Sequence, residues 1–518
     1  MDGSLEPASS PASRLADPEV LHKVDSGAGN ASSHEDAKER RMAQAVADQM
    51  SMPMTVHQVR LHGATNTRRG FLEPMFASIF GDEASKPSTV GEVMDSLRIL
   101  SARLSGLQIL KQPPEFFMDA SPQTNPGTTP SDVDVDIRVH ELPRFKLQTG
   151  TDVGNGEGSA YGSLLWRNMF GGAEMLTLNA KAGTRTRSAY SANLSAPVLS
   201  NPDMRISLEA MASAAEKPWA SHEEVLKGGS TKFSWLDAQR DSHSIEYSGT
   251  WRQITGLAAT ASPTVRTDAG DSIKSAIKYT HIRERRDNPQ LPQSGYMVRS
   301  GLELAGVGPL GGDVAFSKGE LEMGGAVPIP LPGRPGPSGM SIGGGFRMGM
   351  LWPLPIGFDL FGKAPPSRLN DRFQLGGPTD VRGFKLGGIG PHDGQDSVGG
   401  DMFAAGSVNL LMPLPYKGPE SAMRFQVFAN GGRLVALKSQ DRRGETSSAG
   451  LDVSTVRRGM FTAMRELVTG RPTVAAGVGL VYAHPVARFE LNFSLPVDLR
   501  RGEVGTKGFQ VGVGINLL

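Results

Sequence analysis

Few residues in this chain are placed for covalent chemistry. Cysteine is absent, which removes disulfides, thiolate zinc sites and a cysteine nucleophile. The 10 histidines are scattered, and no Ser-His-Asp arrangement or metal-ligand spacing emerges. No enzyme activity and no cofactor or metal is expected. One stretch concentrates unusual residues, "FQLGGPTDVRGFKLGGIG" at 373–390. Glycines at 376, 377 and 383 frame Val381, Arg382 and Phe384. A phosphate cradle would need a following G-K-[ST] and a strand-then-helix frame, and neither is present. What remains is a glycine-turned loop that holds one arginine, either at the surface or somewhere a guanidinium requires acceptors.

The elements around that loop decide between these. The chain has 518 residues and a formal net charge of +1, so bulk attraction to nucleic acid is not indicated. No window approaches the ~18–20 consecutive apolar residues of a membrane helix. Residues 1–49 are rich in Ala, Ser, Asp and Glu, and read as a disordered N-terminal extension. Residues 50–141 differ. "TVGEVMDSLRILSARLSGL" opens on a capping box, Thr89 with Glu92, and continues with Val93, Leu97, Leu100, Leu104 and Leu107 at helical spacing. "MTVHQVRLHG" is an imperfect strand, "LQILKQPPEFF" a short one, and "SDVDVDIRVHEL" alternates strictly. The order β-α-α-β-β suits a single small α+β module.

From residue 142 to 518 the helical period nearly vanishes. "ARFELNFSLPV" sets Phe489, Leu491, Phe493 and Leu495 against Arg488, Glu490, Asn492 and Ser494. About sixteen such strands follow one another, an even number of the kind single-chain membrane barrels use. The prediction is an all-β transmembrane barrel of about 16 antiparallel strands preceded by the module. Two connections are long. Residues 353–399 carry the arginine motif, and 433–472 include "STVRRGMFTAMRELVTG", a helix that either caps the barrel rim or docks a partner.

A small module ahead of such a barrel, with "GGPTDVRGF" in a late loop, resembles the BamA-like outer-membrane assembly superfamily. In its members, polypeptide-transport-associated (POTRA) modules precede a barrel, and an arginine-glycine-phenylalanine loop folds into the lumen. "FQLGGPTDVRGF", "GIGPHDG" and "GGDMFAAGSVNLLMPLP" are similar to the barrel subunits of the mitochondrial sorting and assembly machinery (SAM complex). The likeness extends over about residues 50–518. It implies that Val381, Arg382, Gly383 and Phe384, with Gly376 and Gly377, form a lumen-inserted loop, and that Asp401 and Asn430 are the candidate partners of the arginine. Asn430 stands where many bacterial members carry aspartate.

The resemblance further implies insertion and folding of β-barrel precursors into the mitochondrial outer membrane, through a lateral seam between the first and last barrel strands. The alternative is a polypeptide-translocating or passive pore of the same superfamily. Phe145, Lys146, Leu147, Gln148, Thr149 and Gly150 form one lip of the seam; Gln510, Gly512, Gly514, Ile515 and Leu517 form the other. "QVGVGINL" also fits the polar-x-Gly-x-x-apolar-x-apolar signal of such precursors, or is an ordinary final strand. No secretory signal opens the sequence and a single module is present, which favours the mitochondrial outer membrane, with the module in the intermembrane space. Expected partners are β-barrel precursor polypeptides, two cytosol-facing accessory subunits and membrane lipid, with no nucleic acid.

Overall fold

The computed structural model describes residues 49–514 apart from 82–87, 112, 123–128, 130, 155–156, 307–310, 331–337, 356–362, 416–417, 419–420, 438–450 and 485–486. Nearly all of the expected N-terminal extension, and Ile515 and Leu517 of the expected seam, lie outside the described residues. The chain forms two compact units that part after Glu141, with Asn66–Arg68 counted in the second.

In the first unit, β1 (Pro53–His62), α1 (Arg69–Phe80), β2 (Ser88–Thr89), α2 (Val90–Gly106), β3 (Glu115–Ala120) and β4 (Asp132–Arg138) build a sheet of order β2-β1-β4-β3. Thr89 caps α2 through the reciprocal box with Glu92, at 3.3 and 2.9 Å. Leu97, Leu100 and Leu104 of α2 are buried, as are Val135 and Ile137 of β4. The imperfect alternation of β1 has a cause. Its register against β4 slips between Val56 and Gln58, a bulge that moves His57 out of phase. The strand expected across 107–117 lies further on, at Glu115–Ala120, because Leu110 makes only an isolated bridge to Glu141.

The second unit is a sixteen-stranded antiparallel sheet. Its strands are β5 (Phe145–Gly154), β6 (Glu157–Arg167), β7 (Met175–Gly183), β8 (Thr186–Val198), β9 (Asn201–Lys217), β10 (His222–Leu236), β11 (Ser242–Thr255) and β12 (Gly270–Glu284). They continue as β13 (Gly295–Ala305), β14 (Phe316–Pro328), β15 (Ser341–Pro353), β16 (Met402–Pro413), β17 (Met423–Val435), β18 (Thr473–Ala483), β19 (Arg488–Asp498) and β20 (Gly508–Gly514). Each strand pairs with its neighbour in sequence. The two faces invert the soluble rule. Along β19, Phe489, Leu491, Phe493 and Leu495 are exposed, whereas Arg488, Glu490, Asn492 and Ser494 are buried. Such a wall is stable with lipid outside and a polar interior. Among the described residues no helix is long and apolar enough to cross a membrane, so the crossing falls to the strands.

Helix α3 (Val453–Thr469) lies in the connection between β17 and β18. Its Val456, Met460 and Ala463 pack with Met402 and Val435, and against Met350 and Trp352. Those four residues have the outward parity of β15, β16 and β17, so the helix sits against the outer wall at the rim rather than over the opening.

Candidate functional site

Residues 365–401 of the connection between β15 and β16 turn into the barrel. Phe373, Leu375, Val381, Phe384 and Ile389 are buried with inward-facing wall residues such as Phe403, Leu434 and Ala475. Inward charges hold the loop at three places. At its start, Arg252 of β11 meets Asp371 bidentately at 2.6 and 3.1 Å, with Lys274 of β12 at 3.4 Å. Burial works to raise the Asp371 pKa, but Arg252 and Lys274 outweigh it and hold the carboxyl below its ordinary value. At the Gly376–Asp380 turn, Asp380 accepts from the Gly376 N–H at 2.8 Å and from Arg347 of β15 at 2.9 Å. The third place is the arginine itself.

Arg382 is 1% exposed. Its Nε and Nη2 donate to the two carboxylate oxygens of Glu490 at 2.8 and 3.0 Å, the fork geometry that only a guanidinium offers. Its plane also lies 5.1 Å from the Phe428 ring centroid. Glu490 is held from its other side by Arg488 Nε at 2.7 Å and by the Asn492 amide at 2.8 Å.

The carboxylate partner is therefore Glu490 on β19, not Asp401. Asp401 stands at the rim just before β16, where its carboxylate accepts from the Leu437 N–H at 2.7 Å. Arg382 turns instead toward β17–β20. Asn430, with its amide oriented by its partners, accepts from the Arg382 N–H at 2.7 Å and donates to the Arg382 carbonyl at 3.1 Å. It grips the backbone of the loop, not the guanidinium. Glu490 is legible in the sequence as a polar position of "ARFELNFSLPV", but the resemblance points to Asp401, and nothing in the sequence pairs Glu490 with the loop.

The motif is also stitched to the last hairpin. The Lys385 N–H donates to Val504 at 3.2 Å, and the Thr506 N–H to Gly383 at 2.8 Å. Gln510 of β20 closes the set, accepting from the Gly383 N–H at 2.8 Å and donating to the Phe384 carbonyl at 3.1 Å. Two glycines permit this approach. Gly383 has φ +88, and a Cβ there would stand 2.7 Å from Ala475 Cβ; a Cβ on Gly512 would stand 3.2 Å from the Pro378 carbonyl. Beside these contacts Phe384, Lys385, Val504 and Gln510 line a cavity of about 720 Å³.

The two ends of the sheet behave differently. Among the described residues β5 and β20 lie side by side, but no ladder joins them. On β5, Phe145, Leu147 and Thr149 face outward and Lys146, Gln148 and Gly150 inward by their register with β6. Phe145 to Thr149 are all exposed, so this lip is bare on both faces. On β20, Phe509 and Val511 face outward and are exposed, while inward Gln510 and Gly512 lie against the loop. Gly514, opposite Arg488, ends the described part of that lip.

Fold and site together define a class: a lipid-facing β-barrel whose lumen holds an arginine loop bonded to its final strands. The Omp85 superfamily domain matches residues 168–517. A SAM50-like protein of Schizosaccharomyces pombe is 34% identical over 92% of this chain and 94% of its own length. The mouse sorting and assembly machinery component 50 homolog is 33% identical over 75% of this chain and 76% of its own. The crystal structure of BamA from Haemophilus ducreyi lacking POTRA domains 1-3 superposes with a TM-score of 0.67 at 14% identity, over 89% of this chain and 84% of that one. The chain belongs to the sorting and assembly machinery component 50 family of the Omp85 superfamily.

Proposed function

We infer that the chain inserts and folds β-barrel precursors in the mitochondrial outer membrane, by presenting the free edge of β5 as a template for an arriving strand. The observation that carries this is the absence of a ladder between β5 and β20 among the described residues, together with the exposure of β5 on both faces. An extended chain entering lipid must pair every N–H and C=O. An unpaired barrel edge offers those partners, and alternate side chains set the register. The barrel lies in the outer membrane with its N-terminal module in the intermembrane space. β-Barrel precursors are its clients, and two cytosol-facing accessory subunits are its further partners.

The test uses the absence of native cysteine. Single substitutions Lys146→Cys and Gln148→Cys are paired with a single-cysteine precursor stalled during insertion. Disulfides require Cα atoms within roughly 7 Å, so crosslinks should follow a two-residue rhythm along β5. Ser207→Cys and Glu209→Cys on β9, inside the wall, should give none. Equal crosslinking at both places, or none on β5, would replace the template with a passive pore.

A further inference from the structure

Helix α3 poses a question the insertion reading does not touch. It packs on Met350, Trp352, Met402 and Val435, which belong to the outward, lipid-facing set of β15–β17. From Phe425 to Val435 the outward residues of β17 climb ten positions. At ~3.3 Å per residue and a tilt of about 40°, that is about 25 Å along the membrane normal, the height of the apolar band of such barrels. The helix therefore lies at the upper boundary of the band, where acyl chains meet headgroups on the cytosol-facing side.

Its uncovered face is composed for that level. Phe461, Met464 and Val468 are 65%, 43% and 78% exposed, and Arg457, Arg458 and Arg465 are exposed among them. Beneath the helix, outward-facing Arg433 is covered and pairs with Glu466 at 3.3 Å. A guanidinium on the lipid face of a barrel wall is thereby screened by the helix that lies on it. Continuity with the lipid-facing wall and cations among apolar side chains together specify the occupant.

We propose that α3 is an interfacial membrane helix. Phe461, Met464 and Val468 enter the acyl boundary of the cytosol-facing leaflet, and Arg457, Arg458 and Arg465 pair with phosphate groups of anionic phospholipid. The inference rests on the membrane embedding of the barrel and not on its insertion activity.

The full chain is placed in phosphatidylcholine nanodiscs with an environment-sensitive fluorophore on one cysteine: Phe461→Cys, Met464→Cys, the lipid-facing control Val427→Cys, or Arg501→Cys in an exposed turn at the same end. Lipids carrying a shallow spin label should quench the two helix sites several-fold more than Arg501→Cys, and aqueous iodide several-fold less. Replacing part of the phosphatidylcholine with phosphatidic acid should deepen the helix labels. R457Q/R458Q/R465Q should abolish that response, and inorganic phosphate should not reproduce it. Helix labels quenched by iodide as strongly as Arg501→Cys, with Val427→Cys still quenched from lipid, would overturn the proposal in favour of a water- or protein-facing helix while leaving the barrel intact. A response to soluble phosphate equal to that of the lipid would likewise overturn it.

Discussion

Replacing Glu490 with glutamine should damage this barrel more than replacing Arg382 does. Glu490 is the shared anion of two buried guanidiniums, Arg382 at 2.8 and 3.0 Å and Arg488 at 2.7 Å. Glu490→Gln keeps the shape but turns an NH2 group toward donors and removes the only charge between them. Leaving a buried charge without its partner costs about 3–5 kcal/mol, and here two charges share the loss. Arg382→Gln leaves Glu490 with Arg488 and Asn492, so its cost should fall nearer that of charge-assisted hydrogen bonds, about 1.5–3 kcal/mol. In a double-mutant cycle the two changes should couple by about 2 kcal/mol, because they share one network. Urea unfolding in lipid nanodiscs measures the ordering. Trypsin cleavage after Lys385, exposed beside a buried tip, reports loop detachment in every variant. An E490Q protein within ~0.5 kcal/mol of the parent, with Lys385 still resistant, would refute the argument that this carboxylate holds the loop.

Gln510→Leu should release the Gly383 N–H and the Phe384 carbonyl, each unsatisfied at about 1–3 kcal/mol, and hydrogen exchange across 508–514 should accelerate. Unchanged exchange there would mean that β20 is held by other contacts. Gly383→Ala should cost about 1–2 kcal/mol for the left-handed backbone and more for the clash with Ala475, read as a lower urea midpoint. Gly319→Ala, where a Cβ meets nothing within 4 Å, should leave that midpoint unchanged.

The wall was readable because its physics is local. A period of two over some ten residues, broken by Gly, Pro and Asp, survives in the sequence without knowledge of partners, and the sixteen strands of the sheet agree with the number expected. Helix α2 was readable for the same reason, through its capping box and leucine spacing. What could not be read were relations across the lumen. Arg382 and Glu490 are 108 positions apart, and nothing in either segment names the other. Helix α3 illustrates a second limit. Its apolar stripe was evident, but whether that stripe lies over the mouth or against the outer wall depends on the parity of β16 and β17 at their ends.

The unequal lips of the seam have a kinetic consequence. β20 is part of the same molecule as β5, and a strand tethered beside an open edge competes for it at an effective concentration of order millimolar. Any strand arriving from solution must outcompete that resident. The bonds from Gln510 to Gly383 and Phe384 tie β20 to the loop instead of to β5. On the template reading proposed above, they lower the effective concentration of the internal competitor without removing it, so that an arriving strand can win the edge and the resident strand can reclaim it once the client has left.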